Sequence, residues 1–319
     1  MRLGKLATLL GVALIAGCGS GGGNQRSATL VLDFTPNAVH AGIYSALAHG
    51  YDRQAGVRLH VVAPSASTDS IKLLQSGRTS FAILDIHDLA IARARGAQIV
   101  GVMAIVQRPL ASVIAASSIS SPRALEKTTV GITGVPSDTA VLRSIVAGSG
   151  GRPDSVRTIT IGFNAVATLL ARRVSAATAF WNDEGVTLER RRPGFHVFRV
   201  DDYGAPSYPE LVLCATAHTV SHDPGLASAV VRALERGYQL TVSDPARSAA
   251  DIEALVPGLD PLLVSAELAA IRPALEAPDG RAGELDVARL RAWAAWEARF
   301  GIVAHPPDVV RAFDRQFTH

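Results

Sequence analysis

The chain has 319 residues, 48% hydrophobic and 18% charged, with 31 basic and 28 acidic side chains giving a net charge of +3. A dedicated nucleic-acid binder concentrates a basic face, and the one dense basic stretch here, "ERRRPG" at 189–194, reads as a solvated turn. Two cysteines, Cys18 and Cys214, are too few for a disulfide scaffold.

The first element is a leader. Arg2 and Lys5 precede the apolar run Leu6–Ala16, which is too short to span a bilayer and has the layout of a secretory signal. "IAGC" at Ile15–Cys18 resembles a bacterial lipobox, so residues 1–17 are expected to be a signal peptide and Cys18 a lipidated N-terminus. Residues 18–26 then form a flexible, glycine-rich tether to the membrane. Losing Arg2 and Lys5 takes the net charge from +3 to near +1. The remaining cysteine, Cys214, has no intramolecular partner and sits in "ELVLCATA", as a small buried residue rather than a nucleophile. No later stretch is long and apolar enough to cross a membrane. About 300 residues after the leader exceed one typical domain and suggest two lobes.

Short β-type runs then alternate with helical patterns, which argues for an α/β fold with parallel strands. The first strand is expected over Ala28–Leu32, ending at Asp33, and "GVRLHVVAP" gives the second. "STDSIKLLQSGRTSFAILD" reads as a helix capped by Ser67 or Thr68, a turn at Gly77, and a strand Ser80–Leu84 ending at Asp85. A second copy follows. Strand Thr129–Ile132, a Gly/Pro loop and a helix capped by Ser137 precede an Asn164-capped helix and strand Ala176–Phe180. Aligned on Leu73-Leu74 and Leu169-Leu170, the two units put Asp85 and Trp181 at the same step past a strand. The tail is helical, and Trp293 and Trp296 fall three apart on an apolar stripe.

Ligands of parallel α/β sheets bind outside the carboxyl ends of the strands. Asp33, Asp85, the Gly131–Ser137 loop and Trp181 all occupy such ends, so two facing sheets would bring them to one cleft with Trp181 as a wall. Val100–Ser118, broken by Arg108-Pro109, is expected to cross between lobes, and Tyr208–Val220 to return. Residues 113–209 then form one lobe, and 27–112 plus 210–319 the other.

"LDFTPNAVHAGIYSALAHGYDRQAGV", "GRTSFAILDIHDL", "VQRPLASVIA", "GVPSD", "AFWNDEG" and "DDYGAPSYPELVL" together resemble the substrate-binding lipoproteins of ABC importers in the group that takes thiamine pyrimidine precursors. The resemblance spans nearly the whole chain after the leader. It implies a two-lobed α/β fold of the periplasmic-binding-protein type (type II), closing on a small molecule at the outer face of the membrane beside a permease, as a monomer. Residue by residue, it points to Asp33, Phe34, Asn37, His40, Tyr44, Asp85, Trp181, Asn182, Glu184, Tyr203 and Tyr208. Its pyrimidine binders usually carry Trp where this chain has Phe34. Relatives bind sulfonates, nitrate or riboflavin, and a fungal branch is a synthase built on a cysteine-rich segment that this chain lacks.

The residues suit such a ligand. An aminopyrimidine offers a flat π face, ring acceptors and an amine donor, and aromatic walls add ~0.5–1.5 kcal/mol per ring pair beyond buried area. Carboxylates at Asp33, Asp85 and Glu184 accept from the amine, and a protonated one donates to a ring nitrogen. Bland readings compete. Asp33 and Asn37 flank Pro36 as turn residues do, His40 and Tyr44 share a helix face and one of them can pack inward, and Tyr208 before Pro209 suits a hinge. Gly134 and Ser137 could cradle an anion at a helix N-terminus, although Ser137 also fits ordinary capping. "DIHD" with His40 and His49 is weak evidence for a metal. The expectation is a binding protein, not an enzyme, with no metal or cofactor.

Overall fold

The computed structural model describes residues 26–277 and 280–318. The leader, Cys18 and all of the tether except Arg26 lie outside them, so the expected lipidation falls on residues of which nothing is described. Within the described residues the strands are β1 (Arg26–Val31), β2 (Val57–Val62), β3 (Phe81–Asp85), β4 (Ile99–Ala104), β5 (Ala111–Ala115), β6 (Thr129–Ile132), β7 (Arg157–Thr160), β8 (Ala176–Phe180), β9 (His196–Arg199) and β10 (Leu211–Thr216).

They form two five-stranded sheets, ordered β2-β1-β3-β10-β4 and β7-β6-β8-β5-β9. The chain leaves the first sheet after Ala104, enters the second at Ala111, and returns between Arg199 and Leu211. The long run Val100–Ser118 is therefore two strands, broken at residues 105–110 where Pro109 denies a ladder donor. The sheets are mixed rather than wholly parallel. β5 pairs antiparallel with β8 and β9, and β10 antiparallel with β3 and β4, while β1, β2 and β3 run parallel, as do β6, β7 and β8. Direction of entry explains it: β5 and β10 arrive from the other lobe, so they start at the cleft end where their neighbours finish.

Helices cover both faces of each sheet. Ala41–Ala48, Pro224–Ser243, Pro245–Leu255 and Pro261–Ile271 bury Ile43, Val230, Leu234, Ile252 and Leu268 against one face of the first sheet. A second core runs from Leu84, Leu89 and Trp293 below the other face into Val113, Val130 and Ile145 of the second lobe. Trp293 and Trp296 belong to this core, as their spacing suggests.

Expected caps are partly displaced. Ser137 and Thr68 sit at N-cap positions without a capping side-chain bond, and Asn164 donates to the Ile161 carbonyl instead. After Ser137 and Thr68, the first helical residue binds back to the preceding loop instead. Asp69 accepts from the Ala66 and Ser65 amides, and Asp138 from the Gly134 amide.

Candidate functional site

The strand ends of both lobes meet around a cavity of about 520 Å³. Asp33 and Phe34 follow β1, Asp85 ends β3, Thr133 follows β6 and Phe180 ends β8, while Ala111 and Leu211 open β5 and β10. The lobes touch across it. Ser67 Oγ donates to the Thr133 carbonyl at 3.0 Å, the Ser137 amide to Asp88 Oδ1 at 3.1 Å, and Asn37 Nδ2 to Asp183 Oδ2 at 2.7 Å.

The aromatic wall is a pair from opposite lobes: Phe34 and Phe163 meet edge to face, centroids 4.3 Å apart. The expected wall, Trp181, is not in the cavity lining. Its indole N–H donates to the Pro109 carbonyl at 2.9 Å and the Arg199 guanidinium lies 4.0 Å above its ring, so it braces the crossover. Phe163 is a residue that sequence reasoning missed, although it lies three residues past the end of β7, where strand-end logic would have looked.

Six carboxyl groups line the cavity, Asp33, Asp85, Asp88, Asp138, Asp183 and Glu184, and they outnumber the cations Lys72 and Arg95. The Asn37 amide donates to His40 Nδ1, which leaves His40 Nε2–H to donate to Asp33 at 2.9 Å and fix that carboxylate's direction. Asp85 caps the helix Ile86–Ala94, accepting from the His87 amide at 2.7 Å. Burial raises its carboxyl well above the usual range despite the opposing His87 charge, and raises Asp88 likewise, with Asp85 and Asp138 adding repulsion. Asp138 accepts from Thr133 Oγ1, the Gly134 amide and Thr178 Oγ1 at 2.6–2.8 Å, yet burial still lifts it. Glu184 accepts from the Phe180 amide at 2.9 Å; burial and the neighbouring Asp183 push it to about 8. At neutral pH it is mostly a carboxylic acid, able to donate from its second oxygen.

The Gly134–Ser137 loop is not an open anion cradle. Its Gly134 amide is taken by Asp138 and its Ser137 amide by Asp88. Two of its donors thus already face fixed carboxyl groups of the chain itself.

The structure gathers Asp33, Phe34, Asp85, Ser137 and Glu184 at the cavity and leaves the other candidates outside its lining. Tyr44 packs in the first core, its phenol raised to about 12 by burial. His40 and Asn37 act through Asp33 and Asp183. Asn182 is buried, with no hydrogen-bond partner for Oδ1 among the described residues. Tyr203 packs edge-on against Phe198. Tyr208 is fully buried, with its hydroxyl 2.9 Å from His87 Nε2.

Asp85, His87 and Glu210 bring one possible ligand atom each within 4.8 Å, but the donor set does not fit a cation. Burial disfavours charge on His87, yet Glu297, Asp85 and Glu210 outweigh it and hold the imidazolium up at about 10. Nδ1 is engaged by Glu297 and Nε2 by Tyr208, so neither nitrogen offers a lone pair. Glu210 instead accepts from the Leu110 and Ala111 amides, fastening one crossover to the other.

Two mixed sheets joined by two crossovers, with a cavity at their facing strand ends, define the two-lobed α/β fold of the periplasmic-binding-protein type. Residues 37–248 match the family described as NMT1/THI5 like, and the chain belongs to that family. It is 30% identical over 247 residues to the formylaminopyrimidine-binding protein of Halalkalibacterium halodurans, covering 75% of each chain. It is 22% identical over 222 residues to the 4-amino-5-hydroxymethyl-2-methylpyrimidine phosphate synthase of Legionella pneumophila, covering 68% of this chain and 70% of that one. Among solved structures, the alkanesulfonate-binding protein of Xanthomonas axonopodis pv. citri shares the fold with a TM-score of 0.73 at 16% identity, covering 91% and 98%.

Proposed function

We propose that the chain is the extracytoplasmic substrate-binding protein of an ABC importer and takes an aminopyrimidine of the thiamine-precursor type, such as a hydroxymethyl-, aminomethyl- or formylamino-pyrimidine. The observation that carries this reading is the cleft's donor–acceptor set: a Phe34–Phe163 wall beside Asp33 and several carboxyl groups that burial pushes toward the protonated acid, Glu184 and Asp85 among them, so that the lining offers both acceptor and donor oxygens. Flat rings with an exocyclic amine and a ring nitrogen satisfy both roles. Asp33 and Asp85 accept from the amine, and Glu184 donates to the ring. An alkanesulfonate or nitrate would have to sit among six carboxyl groups with only Lys72 and Arg95 as cations, and the Gly134 and Ser137 amides are already taken. The family and the Halalkalibacterium relative support the same ligand class.

The "IAGC" stretch supports a lipid anchor at Cys18, which would hold a monomer beside its permease. Binding without turnover is the reading for the site, which presents no activated nucleophile: Cys214 is fully buried and its thiol is pushed far up by that burial. The cavity of about 520 Å³ favours one second reading, an aromatic guest larger than a single pyrimidine ring, such as a flavin.

Native mass spectrometry of protein purified without added ligand reads both. A co-purifying mass in the aminopyrimidine range supports the proposal; a flavin mass supports the second reading. Thermal melts with an aminopyrimidine and with an alkanesulfonate complete the test. Stabilisation by the sulfonate alone ends the pyrimidine assignment.

A further inference from the structure

The far end of the second sheet carries a recess separate from the cleft. β6 and β8 run from it toward the cleft and β5 runs into it, so the length of the sheet lies between the two. Its volume is about 730 Å³, and Lys127, Arg157, Arg172, Arg173 and Arg192 line it, with serine and threonine hydroxyls between them and no acidic residue in the lining. These five cations come from four separate stretches, which is why no single run of sequence shows a basic face. On a chain near neutrality after the leader, this is a concentrated charge.

The cations are uncompensated. Arg143 and Arg152 on the same lobe pair with Asp154 and Glu126, whereas none of the five forms an ion pair among the described residues. Arg192 is held in place, donating to the Leu169 and Leu170 carbonyls and lying over the Phe195 ring at 5.0 Å. The other four are exposed.

Two of them also occupy backbone that favours glycine. Lys127 (φ 64°) and Arg172 (φ 56°) are the two non-glycine residues with positive φ among the described residues, and both line this recess. Arg172 closes the helix Ala165–Leu170: its amide donates to the Leu169 carbonyl and the Arg173 amide to that of Thr168, each at 3.0 Å. Glycine is the usual residue at that position. A side chain kept where the backbone resists one points to a use for the charge it carries.

We propose that this recess binds a compact anion bearing several phosphate charges, either free or presented by the headgroups of a lipid surface, independently of the cleft. A lone carboxylate would leave most of five positive charges uncompensated. Arginine forks match phosphate oxygens pairwise. A single concavity, rather than a stripe, suits a compact group over an extended backbone.

Inorganic tripolyphosphate titrated into the full chain, and flotation with phosphatidylglycerol against phosphatidylcholine vesicles, separate the two sources. Wild type should bind at least one probe, more weakly as salt rises. Arg172→Gly and Lys127→Gly together should weaken that binding about tenfold, while the melting temperature holds or rises because glycine relieves the left-handed backbone. Arg157→Ala, with no such backbone role, should weaken it too, and cleft binding should not change in any of these. Binding of tripolyphosphate assigns a free anion, and binding of vesicles alone assigns a lipid surface. The proposal fails if neither probe binds, if the glycine variants bind like wild type, or if a single-stranded oligonucleotide binds more tightly than tripolyphosphate.

Discussion

Glu184 illustrates how much one side chain's protonation decides. Held at about 8, its carboxyl group is a donor at pH 7 and an acceptor above pH 9. Glu184→Gln keeps a donor of similar shape and should retain most aminopyrimidine affinity at pH 7. Glu184→Ala should weaken binding about 5- to 100-fold, by leaving the ring nitrogen unpaired. Calorimetry of the two variants checks this, and equal losses would remove Glu184 from the site. Phe163→Ala should weaken binding about tenfold by opening one side of the aromatic pair. Trp181→Ala, by contrast, should lower the melting temperature with a smaller effect on affinity, because its indole grips Pro109. Titrations of both variants beside their melting curves tell the roles apart. At this scale the sequence was legible where strand ends announce themselves: Asp33 and Asp85 follow from the strand pattern, whereas the family resemblance points to Phe34 and Glu184. Asp88 and Asp138 could be placed by neither, because an acid in the first turn of a helix reads as dipole complement. Trp181 misled because neighbours in a strand point to opposite sides, and periodicity does not say which side meets the cleft.

Helices show a similar division. Asp223, Asp244 and Asp260 each precede a proline at the first helical position and accept from an amide of the first turn. Cap and proline together mark a helix start that any reader of the sequence can use. The contact between the helices Ala41–Ala48 and Pro224–Ser243 was not legible. It depends on Gly42 and Gly237 meeting: a Cβ on Gly237 would lie 1.9 Å from the Gly42 carbonyl oxygen. Backbone cannot yield as a flexible side chain can. Gly237→Ala should therefore cost about 1–3 kcal/mol or more of stability, in the overpacking range. Denaturant melts measure it, and a neutral result would mean that the two helices can separate freely. Strand direction was illegible for another reason. β5 and β10 have the same apolar composition as their parallel neighbours, and only the path between lobes sets which way they run.

Across the whole molecule, one contact between the lobes should make their closure depend on pH. Asp183, at the start of the helix Glu184–Arg191, belongs to the second lobe; Asn37 and Glu267, whose side chains bond to it, belong to the first. Burial sets Asp183 at about 6 and Glu267 at about 8, so near pH 7 a charged carboxylate accepts from a carboxylic acid across the lobes. Asp33 lies close enough to add repulsion against charge on Asp183. Above pH 8 both ionise, the shared proton is gone, and two negative groups face each other. Folded Glu267 keeps its proton up to about 8, whereas the unfolded chain releases it near the ordinary 4.5. The folded state thus binds more protons between those values, and stability falls as pH rises through that window. The melting temperature should drop on the order of 5 °C from pH 5 to pH 8, and the radius of gyration from X-ray scattering should grow above pH 8 as the lobes part. Glu267→Gln supplies a permanent donor and should flatten both curves. Glu267→Ala should remove the same pH dependence and shift the ligand-free lobes toward the open form, with the contacts of Ser67, Ser137 and Asn37 still in place. Ligand adds its own differential affinity for the closed form, so a saturating aminopyrimidine should move the opening to higher pH. A wild-type radius that stays constant from pH 6 to 9, with a melting temperature that rises over the lower window, would show that this carboxyl pair does not hold the lobes together.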